Sequence, residues 1–165
     1  MEIRKLDVKD AQVYYDLRIE ALKDSPDAFA TRLEDAIKRP VDKTAKNLAL
    51  KHAATFGAFK DGNLLGNVTL VRNTAPKLDH RASVVAVYVT PSARDNGLAG
   101  RLMKELLQYA SNWQGLERLD LMVASKNLPA IALYEQLGFE KYGTEINSMK
   151  TPEKYIDENL MVKFL

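Results

Sequence analysis

Residues 87–103, VYVTPSARDNGLAGRLM, run from a β-branched segment through a polar turn into a helical pattern. Gly97, Ala99 and Gly100 fall in the first turn of the predicted helix, with an arginine on either side. A first helical turn leaves backbone N–H groups unpaired and carries a partial positive charge. Small residues let a large anion approach those groups closely. The junction therefore predicts a phosphate or pyrophosphate site at the start of a helix.

Two common phosphate motifs match this junction poorly. A P-loop needs Gly-x-x-x-x-Gly-Lys followed by Ser or Thr, and the chain contains no such run. A Rossmann fingerprint needs Gly-x-Gly-x-x-Gly early in a doubly wound sheet, whereas Gly97 and Gly100 supply only part of that spacing. Asp120 does follow about 20 residues later, where a Rossmann fold carries its ribose-binding acid. A Rossmann-type nucleotide-binding module is therefore one alternative.

Strand and helix patterns alternate around the junction. Val84–Val89 is apolar at every position, which is typical of a central strand covered on both faces. Apolar residues at i, i+4 and i+8 then predict a helix from about Leu98 to Trp113. The C-terminal predictions are a strand at Leu119–Val123, a helix at Leu128–Leu137 with Pro129 in its first turn and Gly138 at its end, and strands from Phe139 and at Asn159–Leu165.

The N-terminal half combines helices with a hairpin. The predictions are a strand at Ile3–Leu6 and a helix capped by Asp10, with Val13, Tyr14, Leu17, Ala21 and Leu22 on its apolar face and Pro26 at its end. Further helices are predicted at Thr31–Lys38 and, capped by Asp42, through Leu50. Asp61-Gly62-Asn63 predicts a hairpin between Ala53–Lys60 and Leu64–Arg72, and Asn73–His80 is expected to be a loop. The whole order predicts an α/β (α+β) fold with helices packed on a central sheet.

Composition narrows the class of protein. The chain has 165 residues, of which 28% are charged and 46% hydrophobic, and this predicts a single globular domain over residues 1–165. It has no cysteine, which excludes disulfides and thiolate chemistry. A net charge of +2 gives no reason to expect nucleic-acid binding. We find neither a membrane-length apolar run nor a signal peptide, so we expect a cytoplasmic protein without a membrane partner.

Two motifs carry a resemblance to a known family. Residues 94–99, RDNGLA, match Arg/Gln-x-x-Gly-x-Gly/Ala, the acetyl-CoA pyrophosphate loop of the GNAT superfamily of N-acetyltransferases. Residues 127–139, NLPAIALYEQLGF, resemble the Asn-x-x-Ala-x-x-Leu-Tyr-x-x-x-Gly-Phe segment of the same family. Both motifs occur in the family's order and on the expected elements. The resemblance extends from about Val84 to Phe139, and residues 17–29 are similar to the family's first helix and loop.

The resemblance implies a fold and a cofactor site. The fold would be a mixed, mostly antiparallel sheet with helices on both faces and a splayed strand pair that binds acetyl-CoA. Backbone groups of Val87, Tyr88 and Val89 would pair with the pantetheine arm, and Asn127 would hydrogen-bond it. Main-chain N–H groups would hold the pyrophosphate, from Arg94, Asp95, Asn96, Gly97, Leu98, Ala99 and Gly100. Tyr134 would direct its phenol at the thioester sulfur.

The implied reaction moves an acetyl group from acetyl-CoA to a primary amine by direct attack. The departing thiolate needs a proton, and a phenol with a pKa near 10 can donate one at neutral pH. Tyr134 is therefore assigned as the general acid; on spacing alone, without Asn127 and Gly138-Phe139 around it, core packing of its ring would be favoured. A backbone N–H of Val87 or Val89 is the expected oxyanion donor.

The sequence does not identify the general base or the acceptor. Many family members carry a glutamate on the strand before the loop, but Val84–Val89 has no carboxylate. Asp79, His80, Glu34 and Asp35 are candidates that would act through water. A non-catalytic acyl-CoA-binding or sensing domain is the alternative that this missing carboxylate favours.

The acceptor is expected to be a small-molecule amine or a protein N-terminus. Its site would be formed by the first two helices, the Asn73–His80 loop and the Thr144–Asp157 segment. Scattered histidines give no metal-ligand spacing, so we expect no metal, and a homodimer is compatible with the chain.

Overall fold

The computed structural model describes residues 1–165 as one seven-stranded sheet with five α-helices. The strands are β1 (Glu2–Lys5), β2 (Ala53–Lys60), β3 (Asn63–Arg72), β4 (Arg81–Val89), β5 (Arg118–Ala124), β6 (Glu140–Lys150) and β7 (Tyr155–Phe164). The helices are α1 (Ala11–Asp24), α2 (Leu33–Ile37), α3 (Val41–Leu48), α4 (Leu98–Ser111) and α5 (Leu128–Gln136). Short 3₁₀ turns lie at Val8–Asp10, Pro26–Ala28 and Pro91–Ala93. None of the helices combines the length and hydrophobicity that spanning a bilayer requires.

The strand order is β1-β2-β3-β4-β5-β7-β6, and every neighbouring pair except one is antiparallel. The exception is β4–β5, whose parallel pairing ends at Ser83 and Asp120. Beyond that point β4 and β5 separate, which leaves facing backbone edges without a neighbour. The expected mixed, mostly antiparallel sheet with a splayed strand pair is confirmed, and a doubly wound parallel sheet is not present.

Helices cover the sheet on its two faces. The helix that follows the opening motif, α4, buries Leu102, Met103, Leu106 and Ala110 completely against strands β2 to β5. On the other face, α1 packs with a smaller cluster that includes Leu6, Leu64 and Tyr88. Burial of this apolar area is the main force that holds α4 and α1 in position. The sheet between them positions the functional site.

Several local predictions are corrected by the structure. Val84–Val89 is not covered on both faces, because Val85 is 42% exposed where β4 borders open cavities. Val13 is 38% exposed and lies off the buried face of α1. The Asp10 side chain does not cap α1; it turns back to accept from the Asp7 backbone N–H at 2.9 Å. Asp42 lies within the first turn of α3, whose N-cap is Pro40.

Element lengths also differ from the predictions. The second helix spans only Leu33–Ile37, and the last strand begins earlier than predicted, at Tyr155. The added residues at the start of β7 pair with β6, and only Glu158 among them also pairs with β5, so tertiary pairing extends β7 beyond its apolar stretch. The hairpin between β2 and β3 is confirmed, and Asp61 and Gly62 adopt the positive φ values of 50° and 79° that its turn requires.

Asp120 forms ion pairs at the end of β4 and β5 where the two strands still pair. Its carboxylate is 13% exposed and accepts from Arg118 Nη2 at 2.7 Å and Arg81 Nη2 at 3.0 Å. Because β4 and β5 run in parallel, this cluster lies at the opposite end of β4 from Gly97. The Rossmann assignment of Asp120 as a ribose ligand is therefore wrong.

Asp120→Ala is expected to lower the free energy of unfolding by about 2 kcal/mol, because it leaves two half-buried arginines without their partner. Urea denaturation monitored by circular dichroism measures the loss. Asp35→Ala is the matched control, since Asp35 forms a more exposed pair with Arg32 at 2.9 Å and its loss should cost much less stability. Equal losses in the two variants would contradict the assigned role of Asp120.

Candidate active site

A cleft of about 490 Å³ opens where β4 and β5 separate. Its walls are Val84–Val89 of β4 and Leu121–Ala124 of β5, and α5 closes one side. Because the two strands do not pair here, their facing backbone groups can bind an extended ligand in the way a neighbouring strand would. Val87, Tyr88 and Val89, which the resemblance assigned to the pantetheine arm, all line this cleft.

The loop before α4 presents a row of unpaired backbone donors. The N–H groups of residues 95–100 donate no hydrogen bond within the protein. Asp95 and Gly97 have positive φ values of 61° and 68°, and such alternation turns successive N–H groups toward one concave site. The same groups also lie at the positive end of a 14-residue helix. The arrangement suits a diphosphate.

Arg94 differs from the six residues that follow it. Its N–H donates to Pro91 O at 3.3 Å, so it is not free to bind an anion. Its side chain donates from Nε to Val89 O at 3.0 Å and forms an ion pair with Asp24. That guanidinium holds the pKa of Asp24 below its ordinary value. Arg94 therefore connects the loop before α4 to β4 by a hydrogen bond and to the end of α1 by an ion pair.

The second motif positions Asn127 and Tyr134 on the cleft wall. Asn127 is the N-cap of α5: its Oδ1 accepts from the Ala130 N–H at 3.3 Å, and its Nδ2 has no partner in the protein. Tyr134 is 6% exposed and packs edge-on against Phe139, with ring centroids 6.1 Å apart. Its hydroxyl makes no hydrogen bond within the protein, and burial raises its pKa to about 12. The phenol therefore stays protonated at neutral pH.

A bulge interrupts β4 in the middle of the cleft. Pairing with β3 passes from Tyr88, opposite Asn67, to Val85, opposite Thr69, so Ala86 and Val87 together face one residue. Ala86 has a φ of 55°, and its carbonyl accepts from the fully buried Asn67 Nδ2 at 2.5 Å. Bulges commonly redirect groups beside active sites. The sequence signal for this bulge is Asn67, a polar residue in the mostly apolar strand β3.

A second cavity, of about 350 Å³, lies beneath α1, α2 and α3. It shares Val85 and Ala86 with the main cleft, so the β4 bulge lies between the two spaces. We name it the helical pocket. Of the regions expected to form the acceptor site, the first two helices line this pocket, whereas the Asn73–His80 loop and the Thr144–Asp157 segment do not.

Titratable groups near the cleft differ from those expected. Glu34, Asp35, Asp79 and His80, the candidate bases, line neither the cleft nor the helical pocket. Sequence reasoning missed Glu158 of β7, which lines the cleft and accepts from Ser148 Oγ at 2.5 Å.

Sequence reasoning also missed Glu20, whose carboxylate accepts a hydrogen bond from the Tyr88 hydroxyl at 3.0 Å. Burial and this carboxylate raise the pKa of Tyr88 well above its ordinary value. The structure contains no group of three or more His, Asp or Glu side chains that could hold a metal ion.

Comparison with known proteins agrees with this geometry. The family model described as "Acetyltransferase (GNAT) family" matches residues 14–139. The L-amino acid N-acetyltransferase AaaT of Escherichia coli K12 is 30% identical over 103 residues, which cover 62% of this chain and 63% of that protein. The alignment thus spans less than two-thirds of that relative's length.

Solved structures share the fold over nearly the whole chain. A GNAT-family acetyltransferase from Streptococcus pneumoniae superposes with a TM-score of 0.87 at 25% identity, covering 99% of both chains. The yncA protein from Salmonella typhimurium, a putative acetyltransferase solved with its cofactor acetyl-CoA, gives 0.84 at 19% identity, covering 99% of this chain and 93% of the other. With a sequence-family match over residues 14–139 as well, this chain belongs to the GNAT acetyltransferase family.

Proposed function

We propose that the chain is a single-domain N-acetyltransferase that uses acetyl-CoA to acetylate a primary amine. One observation carries the proposal: Asp95 and Ala99, from the run of unpaired backbone N–H groups at residues 95–100, line the same cleft between separated strands as Tyr134, whose hydroxyl is unpaired. A diphosphate, an extended arm and a thioester are the successive parts of acetyl-CoA. The family membership and the acetyl-CoA bound in the Salmonella relative support the same cofactor.

The cofactor would bind along the cleft in an extended form. Its diphosphate would accept hydrogen bonds from the N–H groups of Asp95, Asn96, Gly97, Leu98, Ala99 and Gly100. Its pantetheine arm would pair with the free edge of Val87–Val89, where β5 is missing as a neighbour. The free Nδ2 of Asn127 would donate to a carbonyl of that arm. The thioester would then lie beside the β4 bulge.

Acetyl transfer would proceed by direct attack. A neutral amine, which has lost a proton to solvent, attacks the thioester carbonyl, and the backbone N–H of Val87 or Val89 stabilises the developing oxyanion. The C–N bond forms, the C–S bond breaks, and the Tyr134 hydroxyl donates its proton to the departing thiolate. The amine nitrogen releases its second proton to solvent, from which the tyrosinate regains one. A pKa of about 12 keeps Tyr134 protonated for this role.

The acceptor in this proposal is a small-molecule amine or a protein N-terminus. The Escherichia coli relative is named an L-amino acid N-acetyltransferase, which favours a small amine. The helical pocket touches the cleft at the bulge and would admit the acceptor there. We also expect a cytoplasmic protein, and a homodimer is compatible with the proposal.

A non-catalytic acyl-CoA sensor is the second candidate. It is favoured by β4, which carries no carboxylate along Val84–Val89. The sensor and the enzyme predict the same cofactor affinity but differ in thiol release.

The test measures binding and turnover separately. Acetyl-CoA, NAD and ATP are compared by thermal denaturation, and acetyl-CoA at about 100 times its Kd should add about 2.7 kcal/mol of stability. CoA release is then followed with a thiol reagent over a panel of amines; the protein has no cysteine to react with that reagent. Stabilisation by acetyl-CoA with amine-dependent thiol release supports the enzyme. Stabilisation without release against any amine identifies the sensor, and stabilisation by NAD alone contradicts both.

A further inference from the structure

The helical pocket contains an arginine without a partner. Arg18 of α1 makes no hydrogen bond or ion pair within the protein, and its Nη1 is fully buried. The guanidinium lies over the ring of Phe29, with Cζ 4.9 Å from the ring centroid, which fixes its plane without satisfying its donors. Buried charged donors are nearly always paired, because leaving one unpaired is costly. An anionic group from outside the chain would complete this site.

The remainder of the pocket has the same electrostatic character. Arg39 and Lys43 also line it, and no aspartate or glutamate is among its lining residues. Clefts lined by charges of one sign concentrate ligands of the opposite sign. A polyamine acceptor would need carboxylates here and would instead meet three cations. The pocket therefore selects for an acceptor with negative charge.

The position of the helical pocket beside the cleft determines which end of a bound acceptor would point toward the cleft. Val85 and Ala86 border both the pocket and the cleft, whereas Arg18 reaches the pocket from α1. An anionic group held by Arg18 would leave the amine end of a small molecule free to approach the bulge. The volume of about 350 Å³ suits a molecule of amino-acid size. A guanidinium also matches the two oxygens of a carboxylate with parallel donors.

We propose that the acceptor is a small amino carboxylate whose carboxylate pairs with Arg18. This inference rests on the proposed acetyl transfer, since it names the acceptor of the same site. Thr55 and Thr69, whose hydroxyls lie 2.8 Å apart on the pocket floor, supply polar contacts nearer the sheet. A protein N-terminus lacks the α-carboxylate and would leave Arg18 unpaired.

The test compares matched acceptors that differ only in charge. Thiol release is measured for the common L-amino acids, and then for the amides of the best of them. The wild-type protein should show a kcat/KM at least about 100-fold higher for the acid than for its amide. Arg18→Gln should remove most of that preference by lowering kcat/KM for the acid alone. Arg18→Lys should restore part of it, since it keeps the charge and loses the fork of donors.

A matched control and a second readout separate the possible failures. Arg32→Gln removes an exposed arginine that pairs with Asp35 outside the pocket, and it should leave the ratio unchanged. Isothermal titration calorimetry of the best amino acid against the protein saturated with CoA measures binding without turnover. Arg18-dependent binding is the result expected here too. The ratio of acid to amide is insensitive to a general loss of folded protein.

Each outcome decides one or both proposals. Amides that react as well as acids, or a preference that survives Arg18→Gln, would overturn the assignment of Arg18 while acetyl transfer stands. Arg18-dependent binding without transfer to any amine would support the carboxylate site and overturn the enzyme. Absence of both binding and transfer would overturn the two together.

Discussion

A Gly97→Val variant is expected to lose acetyl-CoA binding, with Kd raised at least about 100-fold, while its fold persists. Gly97 has a φ of 68°, and a β-carbon added there meets no protein atom within 4 Å. The new side chain would therefore clash with nothing in the protein itself, but it would occupy space beside the free N–H groups of residues 95–100. A β-branched residue also resists positive φ, which disturbs the alignment of those donors. Titration calorimetry with acetyl-CoA measures the loss.

Gly62→Val provides a matched control for the strain. Gly62 has a φ of 79°, and a β-carbon there also meets nothing within 4 Å, but it lies in the β2–β3 turn. Both variants should lose a similar amount of stability, of order 1–2 kcal/mol. Only Gly97→Val should lose the cofactor. Retained acetyl-CoA affinity in Gly97→Val would remove the loop from the proposed pyrophosphate site.

Tyr134→Phe is expected to lower kcat about 100-fold and to leave the Kd for acetyl-CoA nearly unchanged. The hydroxyl has no partner in the protein, so its removal breaks no internal hydrogen bond. The hydrogen bond proposed between this hydroxyl and the thioester sulfur strengthens only as charge develops on the sulfur. Such interactions affect kcat rather than ground-state binding. Steady-state kinetics and calorimetry on the same sample separate the two quantities.

Tyr109→Phe is the control for loss of a phenol elsewhere. Tyr109 packs in α4 between Phe56 and Trp113 and lines neither the cleft nor the helical pocket. Its kcat should match the wild type. An unchanged kcat in Tyr134→Phe as well would exclude Tyr134 as the acid and leave its ring as helix packing alone.

The raised pKa of Tyr134 also predicts how stability responds to alkaline pH. Its folded pKa of about 12 exceeds the unfolded value of 10.0, so the folded state binds this proton more tightly. The stabilisation is complete below pH 10 and is lost as pH rises toward 12. Denaturation of the cofactor-free protein between pH 9 and about pH 11.5 should show a shallower decline for Tyr134→Phe than for the wild type.

Local signals in the sequence were sufficient for much of the fold and for the proposal of a cofactor site. The Asp61-Gly62 turn, the apolar stripe of α4 and the strand at Leu119–Val123 each follow from short-range periodicity and turn chemistry, and the structure confirms them. The loop before α4 and the segment around Asn127 and Tyr134 are contiguous motifs. Contiguous residues keep their relative geometry wherever the element lies, so their resemblance to a family could be read directly.

Boundaries that depend on neighbours were predicted less well. β7 extends back to Tyr155 because its first residues pair with β6, and residues 155–158 have no apolar pattern that would predict this pairing. Val85 looked like a core residue, yet it is exposed because β5 diverges from β4 beside it. Exposure of a strand residue is set by what packs on that face, which periodicity does not describe.

By itself, the sequence determined the family, the helix proposed to receive the diphosphate and the tyrosine proposed to face the thioester, because each is encoded within one short segment. Only the tertiary structure decided where β4 and β5 separate, how Asp120 pairs with two arginines at the end where they still pair, and which side chains line the helical pocket. Arg18 illustrates the difference. In the sequence it is one polar residue in an amphipathic helix, and its Nη1 becomes a buried, unpaired donor only when α1 packs over the sheet.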